Sequence, residues 1–138
     1  MDPGIDGAPG SAIAAADGSP ALRSYQESQI LTASREQLLL LTYDGVLRFL
    51  ARARRGLERR DYHEKHIGLS RAQALIIELR RTLDFTTAPE LAENLARIYG
   101  FLVEELARAD ANDDGERIGR VMELVAELRS TWAEALAR

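Results

Sequence analysis

Residues 84–116 read DFTTAPELAENLARIYGFLVEELARADANDDGE, and they place one complete helix between two helix-start signals. The first signal is Thr87 followed three places later by Glu90, and the second is Asp113 followed by Glu116. In such a pair the first side chain accepts a hydrogen bond from an unpaired backbone N–H, while the Glu reaches back to the N–H of the capping residue. The stretch therefore predicts a helix of about 24 residues.

The same signal occurs twice earlier in the chain, as Ser34 with Gln37 and as Asp61 with Glu64. Pro89 falls in the first turn of the third predicted helix, where its missing N–H is tolerated. The four starts are about 26 residues apart, which predicts four helices of equal length joined by short links. Such helices alternate in direction, so the sequence predicts an all-α, antiparallel up-down-up-down four-helix bundle.

The composition agrees with a single helical domain and disfavours two kinds of partner. The chain has 138 residues, of which 46% are hydrophobic and only 6% aromatic. Asp2, Asp6 and Asp17 are three of its 22 acidic residues, which leaves 19 acidic against 18 basic residues from position 23 onward. A nearly neutral domain lacks the basic surface that binding to nucleic acid requires. We therefore expect no nucleic acid partner and no membrane insertion.

The beginning of the chain has a different composition from the rest. Residues 1–22 consist mainly of Gly, Ala, Pro, Ser and Asp, which bury too little apolar surface to offset the entropy of ordering. We expect a disordered tail over 1–22, a bundle domain over 23–138, and a short helix from Ser24 to Leu31 that caps the bundle. The chain has no cysteine and no secretory signal pattern, which favours a cytoplasmic location.

No motif predicts catalysis, a metal site or a cofactor. His63 and His66 lack the further ligands and the spacing of a zinc or di-iron site. The acidic run from Asp110 to Gly115 matches the first half of a calcium-binding loop, but its twelfth position is Val121 instead of Glu. We interpret this run as a turn and a helix cap, and we expect no enzyme activity.

Apolar residues three and four positions apart predict the core faces of the last three helices. The second helix contributes Leu69, Ala72, Ile76, Leu79 and Leu83, the third contributes Leu91, Leu95, Ile98, Leu102 and Leu106, and the fourth contributes Val121, Val125, Leu128 and Trp132.

The first helix is more apolar than a core face requires. From residue 38 to residue 53 its apolar side chains fill an arc of roughly 200° on a helical wheel, centred on Tyr43, Val46 and Leu50. Leu40 and Leu47 lie on one flank of this arc. The second helix has a smaller surplus that includes Ile67 and Ile77. Surplus apolar surface at helical spacing is typical of a groove for a partner helix, although a wide arc could also sit deep in the core.

One alternative uses the same architecture. Histidine phosphotransfer domains are also four-helix bundles and carry an exposed His, which a Lys typically follows three residues later. His63 is followed at that distance by His66, and His66 by Leu69. Phosphotransfer therefore remains the second hypothesis.

Several segments together resemble the flagellar secretion chaperone FliS family. The main one is TASREQLLLLTYDG at residues 32–45, followed by Arg48, Phe49 and Leu50. The others, in chain order, are Tyr25-Gln26, Leu79 with Leu83-Asp84, Asn94-Leu95 with Tyr99, and Leu128-Arg129 with Trp132.

This resemblance implies a cytoplasmic export chaperone. Members of the family bind the disordered C-terminal segment of flagellin, prevent its premature polymerisation and support its export by the flagellar type III apparatus. The export gate and other flagellar proteins are further expected partners. By position, Tyr25, Tyr43 and Asp44 match residues of the family pattern. Together with the surplus apolar positions, the predicted partner-binding residues are Tyr25, Leu40, Tyr43, Asp44, Leu47, Ile67 and Ile77.

Overall fold

A computed structural model describes residues 20–138, apart from the side chains of residues 25 and 29–33. By its contacts the chain divides into two units, residues 1–37 and residues 38–138. The described part of the first unit, residues 20–37, is helical throughout. We call the second unit the bundle.

Four helices account for nearly all of the described residues. They are α1 (Pro20–Glu58), α2 (Tyr62–Arg81), α3 (Pro89–Asn112) and α4 (Gly115–Leu136). Residues 38–58 of α1 belong to the bundle. The predicted fold class is confirmed, and residues 20–138 contain no strand.

Neighbouring helices of the bundle run in opposite directions, because contacts that come later along one helix come earlier along the next. Between α1 and α2 the contacts are Gly45 with Leu75 and Arg52 with Glu64, and between α2 and α3 they are Lys65 with Asp110 and Gln73 with Val103. Between α1 and α4 they are Asp44 with Arg129 and Arg54 with Gly119. Between α3 and α4, Glu105 contacts Arg117.

The core is one cluster to which all four helices contribute. Its fully buried members are Tyr43, Val46, Leu50 and Ala53 on α1, Leu69, Ala72 and Ile76 on α2, Tyr99, Leu102, Leu106 and Ala109 on α3, and Ile118, Val121 and Val125 on α4. The predicted core faces of α1, α2 and α4 are confirmed. On α3 two predicted core residues, Leu91 and Ile98, are instead 50% and 38% exposed. The buried face of α3 passes through Ala92, Leu95 and Tyr99.

Helices α1 and α2 approach closely at Gly68. A Cβ atom added there would lie 2.6 Å from the carbonyl oxygen of Phe49 and 2.8 Å from the backbone nitrogen of Ala53. Because both atoms belong to the α1 backbone, no side-chain rotation could relieve the clash. The contact requires glycine at this position.

The predicted helix start at Ser34 is wrong. Helix α1 begins at Pro20 and runs through Ser34 without interruption. The segment Ser24–Leu31 is helical as predicted, but it is continuous with α1. Of the predicted disordered tail, residues 1–19 lie outside the described residues, whereas residues 20–22 form the first turn of α1. The capping pattern of Ser34 and Gln37 therefore lies in the middle of a helix, where both side chains are exposed to solvent.

The start of α2 is predicted correctly. Asp61 is its N-cap, and its side chain accepts a hydrogen bond from the backbone N–H of Glu64 at 3.1 Å. The Glu64 carboxylate does not complete a capping box, because it accepts two hydrogen bonds from the guanidinium of Arg52.

The other two starts are displaced by one residue. Ala88 is the N-cap of α3 and makes no side-chain cap bond, because the Thr87 hydroxyl donates instead to Asp84 at 2.6 Å. Asp113 is the left-handed C-cap of α3, with φ 51°, a conformation that Asp tolerates better than most residues. The N-cap of α4 is Asp114, which accepts from the backbone N–H of Arg117 at 3.0 Å.

The substitution Gly68→Ala should destabilise the bundle by roughly 1–3 kcal/mol, because overpacking against the α1 backbone outweighs the better helix propensity of alanine. Urea unfolding followed by circular dichroism measures the change. Gly100→Ala is the control, since its nearest neighbours are guanidinium atoms of Arg80 at 3.4 Å or more. That variant should be neutral or more stable by up to about 1 kcal/mol, and equal losses in both variants would contradict the close-approach argument.

Candidate partner-binding site

Two of the predicted site residues, Tyr43 and Asp44, have structural roles. Tyr43 is 1% exposed, so its side chain is not available to a partner on the folded bundle. Its hydroxyl shares a hydrogen bond of 2.5 Å with the hydroxyl of Tyr99 on α3. Burial raises the pKa of both phenols, and for Tyr43 hydrogen bonds with Tyr99 and Trp132 partly offset the effect. Both hydroxyl groups therefore remain neutral in the core.

Asp44 connects α1 to α4. Its two carboxylate oxygens accept hydrogen bonds from Nε and Nη2 of Arg129 at 2.8 and 3.2 Å. The hydrogen bond from Arg129 lowers the pKa of Asp44, and the nearby charge of Arg48 acts in the same direction. A two-pronged ion pair of this kind fixes the relative position of the two helices.

Leu47 lines a groove between α1 and α4, and we call this the α1–α4 groove. The groove has a volume of about 630 Å³ and is also lined by Arg54, Glu116, Gly119, Arg120, Met122, Glu123 and Ala126. Leu47 itself is half-buried and packs against the core cluster. Leu40, two turns earlier on α1, is also half-buried. The flank of α1 that contains Leu40 and Leu47 is thus only partly covered, and part of its apolar surface remains accessible to solvent.

The remaining predicted site residues lie elsewhere. On α2, Ile77 is 45% exposed and Ile67 is half-buried. Neither of them lines the α1–α4 groove. Tyr25 lies in α1, but its side chain is outside the described part of the structure. The structure therefore does not gather the seven predicted residues at one place.

A second groove lies between α3 and α4, and sequence reasoning missed it. We call it the α3–α4 groove; it has a volume of about 440 Å³ and is lined by Arg97, Ile98, Phe101, Leu124, Glu127, Leu128 and Thr131. Phe101 is 50% exposed, and Ile98 and Leu124 are nearly as accessible. An open apolar strip between two helices is the usual form of a binding surface for an amphipathic segment.

One signal in the sequence could have revealed this groove. Helix α3 carries a second series of apolar residues, Leu91, Ile98 and Phe101, beside the buried series that contains Leu95 and Leu102. Together the two series form an apolar face that is wider than packing against one core requires. The prediction assigned Leu91 and Ile98 to the core, and the surplus on α3 was therefore overlooked.

A third apolar depression lies at the end of the bundle where α2 is connected to α3. It has a volume of about 300 Å³, and its lining includes Leu39, Leu83, Leu91, Leu95 and Trp132. It reaches Tyr99 and therefore adjoins the hydrogen-bonded tyrosine pair.

The acidic run that resembles a calcium loop is engaged in ion pairs at the opposite end of the bundle. Lys65, only 6% exposed, bonds to carboxylates of Asp110 and Asp113 at 2.9 and 2.5 Å, and His66 bonds to Asp110 at 2.7 Å. Burial opposes the charge of Lys65, but the hydrogen bonds to Asp113 and Asp110 outweigh it, so the pKa of Lys65 is raised. Within residues 20–138 no three His, Asp or Glu side chains are placed to hold a metal ion.

None of the helices in the described part of the chain is long and apolar enough to cross a membrane. The candidate site is a set of three depressions on the bundle, each of which includes residues of α4. The α3–α4 groove and the depression at the end of the bundle are mainly apolar, whereas half of the residues that line the α1–α4 groove are charged. These features define a helical bundle whose surface suits the binding of other polypeptides.

Comparison with known proteins specifies the class. The family model described as flagellar protein FliS matches residues 18–138. The flagellar secretion chaperone FliSB of Pseudomonas aeruginosa is 34% identical over 116 residues, covering 81% of this chain and 92% of the relative. The flagellar secretion chaperone FliS of Escherichia coli is 32% identical, covering 80% and 82%. That of Campylobacter jejuni is 30% identical, covering 83% and 89%.

The chain belongs to the FliS family, which confirms the resemblance noted in the sequence. Its class is that of the flagellar export chaperones.

The buried tyrosine pair leads to a prediction about stability. Tyr43→Phe leaves the Tyr99 hydroxyl buried without its partner, which should lower the free energy of unfolding by about 1–3 kcal/mol. Tyr99→Phe should cost less, because Tyr43 keeps its interaction with Trp132. The double variant should lose less than the sum of the two single losses. Denaturant unfolding measures all three, and additive losses would show that the two hydroxyl groups do not depend on each other.

The ion pair between Asp44 and Arg129 leads to a prediction about acid stability. Because the pKa of Asp44 is lowered from its ordinary 3.8, the folded protein binds this proton more weakly than the unfolded chain. The pair therefore contributes stability above about pH 3.9, and this contribution is lost as the pH falls further. Asp44→Asn should be less stable than the parent protein near neutral pH and should lose less stability on acidification.

Thermal unfolding at a series of pH values measures this difference. Glu134→Gln is the control, because Glu134 is exposed and has no ion-pair partner in the described structure. A parallel pH profile for Asp44→Asn and Glu134→Gln would show that Asp44 is not responsible.

Proposed function

We propose that this protein binds the disordered C-terminal segment of flagellin in the cytoplasm, prevents its premature polymerisation and supports its export by the flagellar type III apparatus. The observation that carries the proposal is the open α3–α4 groove, in which Ile98, Phe101 and Leu124 present apolar surface along two helices. Membership of the FliS family and the names of its relatives, flagellar secretion chaperones, support a flagellar protein as the client.

The binding mechanism follows from the physical chemistry of a disordered client. Burial of apolar surface contributes about 25 cal/mol of favourable binding free energy per Å². This gain must offset the entropy that the segment loses when it becomes ordered. A segment that folds into helical turns in the groove hides the apolar faces that it would otherwise use for polymerisation. The reaction is an association and needs no chemical step.

We also propose that the surplus apolar flank of α1 takes part in client binding. Leu47 borders the α1–α4 groove, and Leu40 lies two turns earlier on the same helix. On α2, Ile77 and Ile67 are additional proposed contacts. Because α4 borders both grooves, a long client segment can contact the two sides of this helix without leaving the bundle surface.

The substitution Phe101→Asp should weaken binding of a flagellin C-terminal peptide by roughly 10- to 100-fold, since it replaces the largest apolar side chain of the α3–α4 groove with a charge. Isothermal titration calorimetry measures the affinity. Phe85→Asp is a matched control, because Phe85 is the same residue type, is 49% exposed compared with 50% for Phe101, and does not line this groove.

Leu47→Asp tests the α1–α4 groove in the same titration, and circular dichroism verifies the fold of every variant. Equal affinity of Phe101→Asp and Phe85→Asp for the peptide would rule out the α3–α4 groove. Absence of binding by the unsubstituted protein would rule out the proposed client itself.

A further inference from the structure

The end of α1 and the turn that follows it have a concentration of positive charge. Five arginines occur between residues 52 and 60, with Glu58 as the only acidic residue among them. The whole chain has a formal charge of −4, so this concentration is opposite in sign to the protein. Such a concentration of positive charge is balanced by carboxylates of the bundle, by ions in solution or by a partner.

The internal partners account for only one of these arginines. Arg52 bonds to both carboxylate oxygens of Glu64 at 2.8 and 3.1 Å. Within the described structure, Arg55, Arg59 and Arg60 have no carboxylate within 4.0 Å, and all three are exposed. The fifth arginine, Arg54, is also exposed and has no carboxylate within 4.0 Å in the described structure, but it lines the α1–α4 groove. The other three guanidinium groups face solvent without a counter-charge in contact and lie outside both grooves.

Local backbone structure keeps these arginines at one corner of the bundle. Arg55 lies in the last turn of α1, and Arg59 directly follows Glu58, the last residue of that helix. The backbone N–H of Arg59 donates to the carbonyl of Arg55 at 3.1 Å, so the two residues are one turn apart. Both line a single cleft, of about 200 Å³, between the end of α1 and the start of α2. Arg60 adopts a left-handed conformation with φ 59°, and Asp61 follows it as the N-cap of α2. The turn is closed by backbone hydrogen bonds from Arg60 to Leu57 and from Asp61 to Gly56. We call Arg55, Arg59 and Arg60 the arginine surface.

We propose that the arginine surface is a docking site for an acidic protein segment, separate from the client grooves. Arginine binds carboxylates through two parallel hydrogen bonds, and arginine is enriched among the residues that dominate protein interfaces. Side chains four positions apart on a helix are about 6 Å apart. The complementary partner therefore carries two carboxylates about one helical turn apart.

The surroundings of the cleft favour a protein segment over nucleic acid. Asp61 and Glu64 line the same cleft, and Glu58 lies on the same turn of α1. These carboxylates would repel a continuous phosphate backbone, which needs a broad basic surface. A short acidic segment can instead place its carboxylates between them. The arginine surface shares no residue with either client groove, so a loaded chaperone can still use it.

A peptide with the sequence (Glu-Ala-Ala-Ala) repeated three times is a suitable probe, because it places a carboxylate at every fourth position of a helix. We expect it to bind the full chain in fluorescence anisotropy at low salt, whereas the corresponding Gln peptide does not bind. Binding should weaken as the salt concentration approaches about 1 M, where the Debye length is about 3 Å. The double variant R55E/R59E should lower the affinity roughly tenfold or more, the change expected from two exposed ion pairs near the upper end of their usual strength.

The control variant is R80E/R81E, which reverses two exposed arginines in the last turn of α2 and so alters the charge by the same amount. The neutral variant R55Q/R59Q is included because glutamates at the end of α1 could disturb the helix. Its affinity for the peptide should also fall. Saturating flagellin peptide should leave binding of the acidic peptide unchanged.

Four results would overturn the proposal. They are absence of peptide binding, equal loss in R80E/R81E, tighter binding of a short single-stranded DNA than of the peptide, and displacement by the flagellin peptide. Binding of the flagellin peptide is measured separately on the same preparations, so failure of the arginine surface is distinguishable from failure of the client proposal.

Discussion

The hydrogen bond between Tyr43 and Tyr99 is the contact on which the arrangement of the bundle depends. It joins α1 to α3, two helices that run in the same direction, within an otherwise apolar core and next to the depression at the end of the bundle where α2 is connected to α3. Two buried hydroxyl groups are costly unless each satisfies the other, so the pair favours one register of α1 against α3. The next residue, Asp44, binds Arg129 and thereby sets the position of α4 against α1. Adjacent residues of α1 thus orient two other helices.

The position of α4 determines where the bundle remains open. On one side α4 covers Leu47 incompletely, and on the other it leaves Phe101 and Ile98 of α3 accessible. The core is nevertheless complete, because Val121 and Val125 are fully buried. A chaperone needs such a combination, since its own fold has to be stable while its surface keeps apolar area for a client. The two grooves therefore leave open surface on the bundle without leaving a gap in the core.

The sequence predicted the number, direction and approximate position of the helices because short links and apolar periodicity are local properties. It failed where other contacts compete for the same side chains. Thr87 bonds to Asp84 in the preceding turn instead of capping α3, and Asp113 accepts a hydrogen bond from Lys65 of α2. It also assigned Ile98 to the core, although that side chain is exposed, and it named Tyr43 as a partner contact, although that side chain is buried. Periodicity identifies an apolar face, but it does not tell which edge of that face another helix covers.

Lys65 has a consequence for the chemistry of the whole surface. It is the one lysine in the sequence, and it lies buried among Asp110 and Asp113. The positive charges that the bundle presents to solvent are therefore guanidinium groups, together with any protonated imidazole of its two histidines. Guanidinium groups keep their charge at every pH that a cell experiences, and they are not acetylated as lysine is. Modification of Lys65 by an amine-reactive reagent would therefore report on opening of the fold instead of on the surface.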